Sequence, residues 1–358
     1  MSSRRFLFSA IALTLCLLML FAMPTIIIDP FFHYHAPYDN VSYYLSNERY
    51  QNDGILRHFE YDSIIIGSSM SQCFKTSEYD ALFGASSVKV PLAGAYLREF
   101  GDHLRAGFES DNDIKRVLLS LDLFSIMADK DAVKANYDYP YYLYDDNIFN
   151  DVRYVLNKEV FFSYTYKSIS STLAGIPSDT FDEYSNWSDK HIYGKDKVMS
   201  GYQRSSGDAS YVLDEYWTRR VRDNLEQNLL SLVRAHRDTE FVCFIPPYSI
   251  AKLCTWYEQD SFDYCFGIYE LTADMLLSEE NVRVFSFYDN YEMICDLDNY
   301  RDTTHYGGWV NTYILESIKD NKHELHLDGV SDYFDSLSEY YRNYDYSDLL
   351  DQSSIEQE

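Results

Sequence analysis

Proline and glycine are scarce in this chain of 358 residues, at 8 and 14. That excludes collagen-like and low-complexity architectures. Positive charge is scarce too: 30 Lys and Arg face 57 Asp and Glu, a formal charge of −27. Such a surface repels phosphate backbones and argues against a nucleic-acid binder. The six cysteines form no Cys-x-x-Cys pair. Their spacing supports no zinc site, and no cofactor or metal is expected. An odd number of them follows residue 28, so they cannot all pair with one another. Cys254 and Cys265 are the candidate bridge; buried free thiols are the other reading. No internal repeat is visible at periods of about 20–50 residues.

What the chain does have is apolar and aromatic matter. Hydrophobic residues make up 46% and aromatics 17%, with 35 Tyr. That is too much for wholesale disorder. Tyrosine joins an apolar ring to a polar tip. It suits a carbohydrate-facing surface, and equally the half-buried shell of an ordinary acidic protein.

Phe6 to Ile28 carries no charge. At about 1.5 Å per residue it is long enough to cross a hydrocarbon core of about 30 Å. Arg4 and Arg5 precede it and Asp29 follows. The positive-inside rule then keeps the N-terminus cytoplasmic and places the rest outside a cell membrane. A cleaved signal peptide would have a shorter apolar region and a small-x-small site. This stretch ends instead in Pro24-Thr25-Ile26-Ile27-Ile28, so an uncleaved single-pass anchor is expected. No Lys/Arg cluster follows it directly, which argues against anionic-lipid binding beyond the anchor.

After residues 1–28, the reading divides the chain into a juxtamembrane linker (29–59), an α/β domain (60–326) and an acidic, Tyr-rich tail (327–358). Short apolar runs predict buried parallel strands at Ser63–Gly67, Ser87–Val90, Val117–Leu121, Phe241–Ile245 and Val282–Phe287. Helical spacing fills the intervals at Tyr96–Phe108, Leu213–Ala235, Ser249–Tyr257, Phe262–Leu277 and Val310–Ile318. Strands alternating with helices predict a central parallel sheet covered on both faces. Residues 128–210 break this rhythm and read as an insertion over one end of the sheet. The first part of the tail reads as a packed helix and its last residues as disordered.

In an open parallel sheet, ligands bind beyond the carboxyl ends of the strands. The first strand exits into Gly67-Ser68-Ser69-Met70. Glycine permits a tight strand-to-helix turn, the hydroxyl projects at the edge, and the turn's N–H groups can hold an oxyanion. The bland alternative is a polar turn with a helix-capping serine. A nucleophilic serine needs a base and an orienting carboxylate. Two of the nine His follow an Asp by three residues: Asp302…His305 and Asp320…His323. The first pair falls in the loop that returns to the carboxyl edge. The second lies beyond the closing helix on a charged stretch and is expected to face solvent. Tyr248, after the strand-ending Pro246-Pro247, is a candidate substrate-lining residue, and Ser249 is either that or a helix cap. Tyr306, Trp309 and the tyrosines of 137–144 either stack on sugar rings or simply pack.

On these residues the chain resembles the SGNH/GDSL hydrolase superfamily. That resemblance implies a flavodoxin-like α/β three-layer sandwich. It gives Ser69 the nucleophile's place, His305 the base's and Asp302 the orienting acid's. It also implies an oxyanion hole from the N–H groups of Ser69 and Gly94. Where the superfamily's third block supplies an Asn, this chain has Asp122, and an ionised Asp cannot donate to an oxyanion. Ser68 and Asp122 remain possible substrate-lining residues. The Ser-Ser block and the anchor resemble a narrower group, the membrane-tethered accessory protein of teichoic-acid D-alanylation and the alginate acetylation proteins. The implied role is an esterase or acyltransferase acting on a cell-envelope glycopolymer beside a membrane-bound O-acyltransferase. A catalytically degenerate binding or scaffold subunit for the same machinery, or for glycan export, is the alternative.

Overall fold

The computed structural model describes residues 3–134, 139–145, 147–205 and 211–352. Tyr137, and the end of the tail expected to be disordered, lie outside the described residues.

The expected α/β sandwich is present. Six strands form one sheet in the order β2-β1-β3-β4-β5-β6. They are β1 (Ser63–Gly67), β2 (Ser87–Pro91), β3 (Arg116–Ser120), β4 (Glu240–Ile245), β5 (Val282–Ser286) and β6 (Glu324–Leu325). β1 to β5 pair in parallel, and the two-residue β6 closes the edge antiparallel to β5. Ile64, Ile65, Ile66, Val117, Leu119 and Phe241 to Ile245 are fully buried. That is why these strands read as continuous apolar runs rather than alternating ones. The chain steps outward from β1 to β2, then back across β1 to β3. The sheet's switch point therefore lies where β1 and β3 end, and a crevice opens there.

Helix α1 (Ser3–Ile28) is the N-terminal apolar helix, with only Thr25 of it buried. It is long and apolar enough to cross a membrane. Residues 29–59, expected as a linker, are packed. They carry α2 (Glu48–His58), whose Gln51, Asn52, Ile55 and Leu56 are fully buried. The Gln51 amide donates to the carbonyls of Pro30 and Tyr44, and Asn52 donates to that of Pro91. Helix α2 thus ties the exit of α1 to the end of β2. A Cβ on Gly54 would lie 2.3 Å from the Phe31 carbonyl oxygen, so only glycine lets these two segments touch.

Two further helices lead into the sheet, α3 (Thr76–Phe83) and α4 (Leu97–Phe108). The long helix expected at 213–235 runs from Glu215 to Ala235 through a π turn at Glu226–Leu230. The tail is part of the domain: Val330–Arg342 is a helix whose Phe334, Leu337 and Tyr341 are buried in the main core. Cys254 and Cys265 lie on separate helices as free buried thiols. Burial pushes them up to about 11 and about 12.

Candidate active site at the β1 and β3 exits

Strand β1 ends at Gly67, where a Cβ would lie 2.1 Å from Ser120 Oγ and 2.3 Å from Ser71 Oγ. Any side chain there would push the turn away from β3. The chain then makes one 3-10 turn, Ser69–Ser71. Ser68 is the buried half of the pair. Its hydroxyl donates to Asp122 Oδ2 at 2.6 Å and accepts the Met70 N–H at 3.2 Å. Ser69 is left half-buried at the mouth of the turn.

Ser69 Oγ stands 2.8 Å from His305 Nε2. On the far side of the ring, Nδ1 lies 2.9 Å from Asp302 Oδ2 and 3.0 Å from Oδ1. A carboxylate only accepts, so Nδ1 carries the proton and Nε2 accepts from the serine hydroxyl. Asp302 also takes the backbone N–H groups of Thr304 and His305 and the Thr304 hydroxyl. Burial alone would raise its pKa. The hydrogen bonds and charge of His305, with the Thr304 N–H, outweigh that and hold the carboxyl well below its usual range. The loop is pinned from β4's end, where the Ser249 hydroxyl and N–H both donate to the Thr303 carbonyl. Ser249 therefore makes no side-chain helix cap, and its role is to position the His305 loop.

The loop after β2 approaches the same point, with Leu92 N–H donating to the Gly67 carbonyl. Gly94 sits in the left-handed region at φ +65, with only the Lys134 side chain within 4 Å of a would-be Cβ. Among the described residues, no protein acceptor takes the Ser69 or Gly94 N–H. Asp122 takes the place where a third donor was in question. Its carboxylate accepts from Ser68, from Ser120 at 3.1 Å and from Tyr248 at 2.9 Å. Burial raises its pKa against the pull of those three hydroxyls.

Ser68 and Asp122, expected as possible substrate-lining residues, are fully buried and bonded to each other. They lie behind the Ser69 turn rather than at its mouth. Tyr248 does line a groove of about 600 Å³ beside it, with Tyr96, Phe124, Trp256, Lys252 and Thr304. Tyr306 is buried and cannot stack on a ligand, whereas Trp309 is half exposed. Asp320 and His323, the second Asp-x-x-His spacing, make no contact with each other. Asp320 binds Lys322, while His323, only part-exposed, donates from Nδ1 to Asp289 at 2.8 Å. Three neighbours of the site went unforeseen. Trp187 packs edge-on to the His305 ring at 5.7 Å, Arg301 covers Trp187 at 3.8 Å, and Gln72 accepts the Trp187 indole N–H. Gln72 lies three residues past Ser69 and Arg301 directly before Asp302, but Trp187, which joins them, lies more than a hundred residues from either, with no local signal linking it to the site.

No protein-family profile matches the chain, and no curated protein matches it. Among solved structures, a Streptococcus pneumonia protein provisionally described as a platelet activating factor aligns over 76% of this chain and 90% of its own. The identity is 12% and the TM-score 0.39. An alignment this loose carries no argument about activity.

Proposed function

We propose that this chain is a membrane-anchored extracytoplasmic serine esterase or O-acyltransferase of the SGNH type, acting on a cell-envelope polymer through Ser69, His305 and Asp302. The observation that carries the reading is the unbroken line from Ser69 Oγ through the His305 ring to Asp302. His305 Nε2 takes the Ser69 proton as the hydroxyl oxygen attacks an ester carbonyl. Asp302 holds the tautomer and stabilises the imidazolium. The Ser69 and Gly94 N–H groups receive the oxyanion, each donor of this kind being worth about 3–4 kcal/mol. The imidazolium returns its proton to the leaving alcohol, which departs and leaves an acyl-serine. Water as the second nucleophile gives hydrolysis; a sugar or polyol hydroxyl gives transfer.

Asp122 favours the second reading, a binding subunit without turnover, because it leaves two oxyanion donors in place of three. One experiment separates the two. The full chain in detergent or membranes is treated with a fluorophosphonate probe and, in parallel, with p-nitrophenyl acetate. A covalent adduct on Ser69 that is lost in Ser69→Ala, with ester turnover, supports the enzyme. Folded wild type that neither labels nor turns over ester overturns it.

A further inference from the structure

Residues 152–166 of the insertion lie against α1 inside its apolar stretch. The Phe21 ring packs against Phe161 at 4.8 Å and Phe162 at 6.4 Å. Thr25 Oγ1 and Thr165 Oγ1 share a hydrogen bond of 3.1 Å. Below them the joint is polar and rigid. Tyr154 donates to Asp29 at 2.7 Å and accepts the Phe31 N–H, while Asp29 also takes the N–H groups of His33, Tyr34 and His35. Phe21 precedes Ile28 by seven residues, a depth of about 10 Å at 1.5 Å per residue. Whatever touches Phe21 sits at that depth.

The same segment turns large apolar side chains outward. Phe149 is 86% exposed and Phe162 58%, with Val152, Leu156 and Tyr166 also exposed. Scattered exposed apolar residues need no explanation; a contiguous set beside a membrane-length helix does. Across Phe149 to Tyr166 the charges are Asp151, Arg153, Lys158 and Glu159, a neutral segment in a chain of −27, with Arg153 and Lys158 both exposed. No basic cluster follows α1 in sequence; the fold sets two exposed cations, Arg153 and Lys158, beside its exit.

We propose that this segment, with Phe149, is an interfacial membrane seat. Phe149, Val152, Leu156 and Phe162 enter the headgroup and upper acyl region of the leaflet that α1 leaves, while Arg153 and Lys158 meet the headgroups. A seat of this kind buries its apolar face about 5–10 Å into that boundary, matching the depth set by Phe21. The inference rests on α1 being a membrane anchor. With α2 bridging the α1 exit to the β2 loop, the seat fixes the height and tilt of the β1–β3 edge over the bilayer.

The test places the photo-crosslinker p-benzoylphenylalanine at one position at a time in the full chain, in the membranes of producing cells. The positions are Phe149, Phe162, Leu17 inside α1, and Leu327 beside β6 at the opposite sheet edge from β2 and α2. Adducts are identified by mass. Phospholipid adducts at Leu17, Phe149 and Phe162, several-fold above Leu327, support the seat. Lipid at Leu17 alone, or a protein adduct at Phe149 and Phe162, leaves the anchor standing and overturns the seat. Lipid at none of them removes the anchor and the seat together.

Discussion

Two histidines in this molecule are gripped by an aspartate in nearly the same way. His305 Nδ1 lies 2.9 Å from Asp302, and His323 Nδ1 lies 2.8 Å from Asp289. Each ring's other nitrogen meets a hydroxyl: Ser69 for His305 at 2.8 Å, Tyr313 for His323 at 2.9 Å. The pair alone therefore does not mark a site. The difference lies in the third member and its surroundings. Ser69 stands at the mouth of a turn whose own N–H meets no protein acceptor among the described residues, at the sheet's switch point and beside a groove. Tyr313 belongs to the helix Gly308–Lys319, and its hydroxyl also accepts from Asn290. His323 is a clasp between β5's exit and the closing helix.

Breaking the histidine–hydroxyl contacts should give the widest separation. Ser69→Ala or His305→Ala is expected to lower ester turnover by about 10⁶-fold, since members of such a unit fail together. His323→Ala should leave the rate within a few-fold. It should cost about 1–3 kcal/mol of stability, because Asp289 and Tyr313 each lose a partner. Turnover paired with denaturant unfolding reads both. A rate collapse in folded His323→Ala would erase the distinction.

The carboxylates come next. Asp302→Asn keeps the shape but favours the wrong tautomer, and a loss of about 10⁴ in kcat is expected. Asp289→Asn should leave kcat in place and lower only the unfolding midpoint. An Asp302→Asn protein with near wild-type kcat would show that the Thr304 and backbone contacts suffice to orient the ring.

The comparison also shows what a sequence can disclose. The strands were legible because burial on both faces writes an unbroken apolar run, and Asp302–His305 because the two partners are three residues apart. Asp289 was not legible as the partner of His323, since a contact across 34 residues leaves no spacing to find. Asp320, at the familiar distance, pairs with Lys322 instead. Helix α2 was missed for a different reason. Its buried face is mostly polar, with only Ile55 and Leu56 apolar and with Gln51 and Asn52 donating to backbone carbonyls, so hydrophobic periodicity has little to report. Trp187 reaches His305 from the insertion, which follows no strand–helix rhythm.

A smaller effect sharpens the Ser69 side. Tyr248→Phe removes one of the three hydroxyls on Asp122 and leaves the groove wall intact. Asp122 acts through Ser68, so a loss of up to about tenfold in kcat, equivalent to about 1.4 kcal/mol, is expected with KM little changed. A rise in KM alone would mean that Tyr248 holds substrate and that Asp122 is only packing.

The smallest effect at neutral pH concerns what holds the Ser69 turn from below, for which the His323 clasp has no counterpart. Lys89 is fully buried in β2, and its ammonium donates to the carbonyls of Gln72 and Phe74, just past the turn. Burial lowers its pKa from the ordinary lysine value to about 7. In the unfolded chain it stays near 10.4. Between those two values the unfolded state binds more protons than the folded one. Stability should therefore rise with pH across that window, by up to about 1.4 kcal/mol per unit. Below about pH 7 both states are protonated and the dependence vanishes. Unfolding midpoints of wild type and Lys89→Met, compared from pH 6 to about 9, isolate this group together with the Cys73 thiol coupled to it, because the buried tyrosines and other thiols titrate alike in both proteins. The difference should shift with rising pH in favour of wild type. A constant difference would mean that the two carbonyls hold Lys89 charged throughout, and that the turn carrying Ser69 rests on a permanent buried cation.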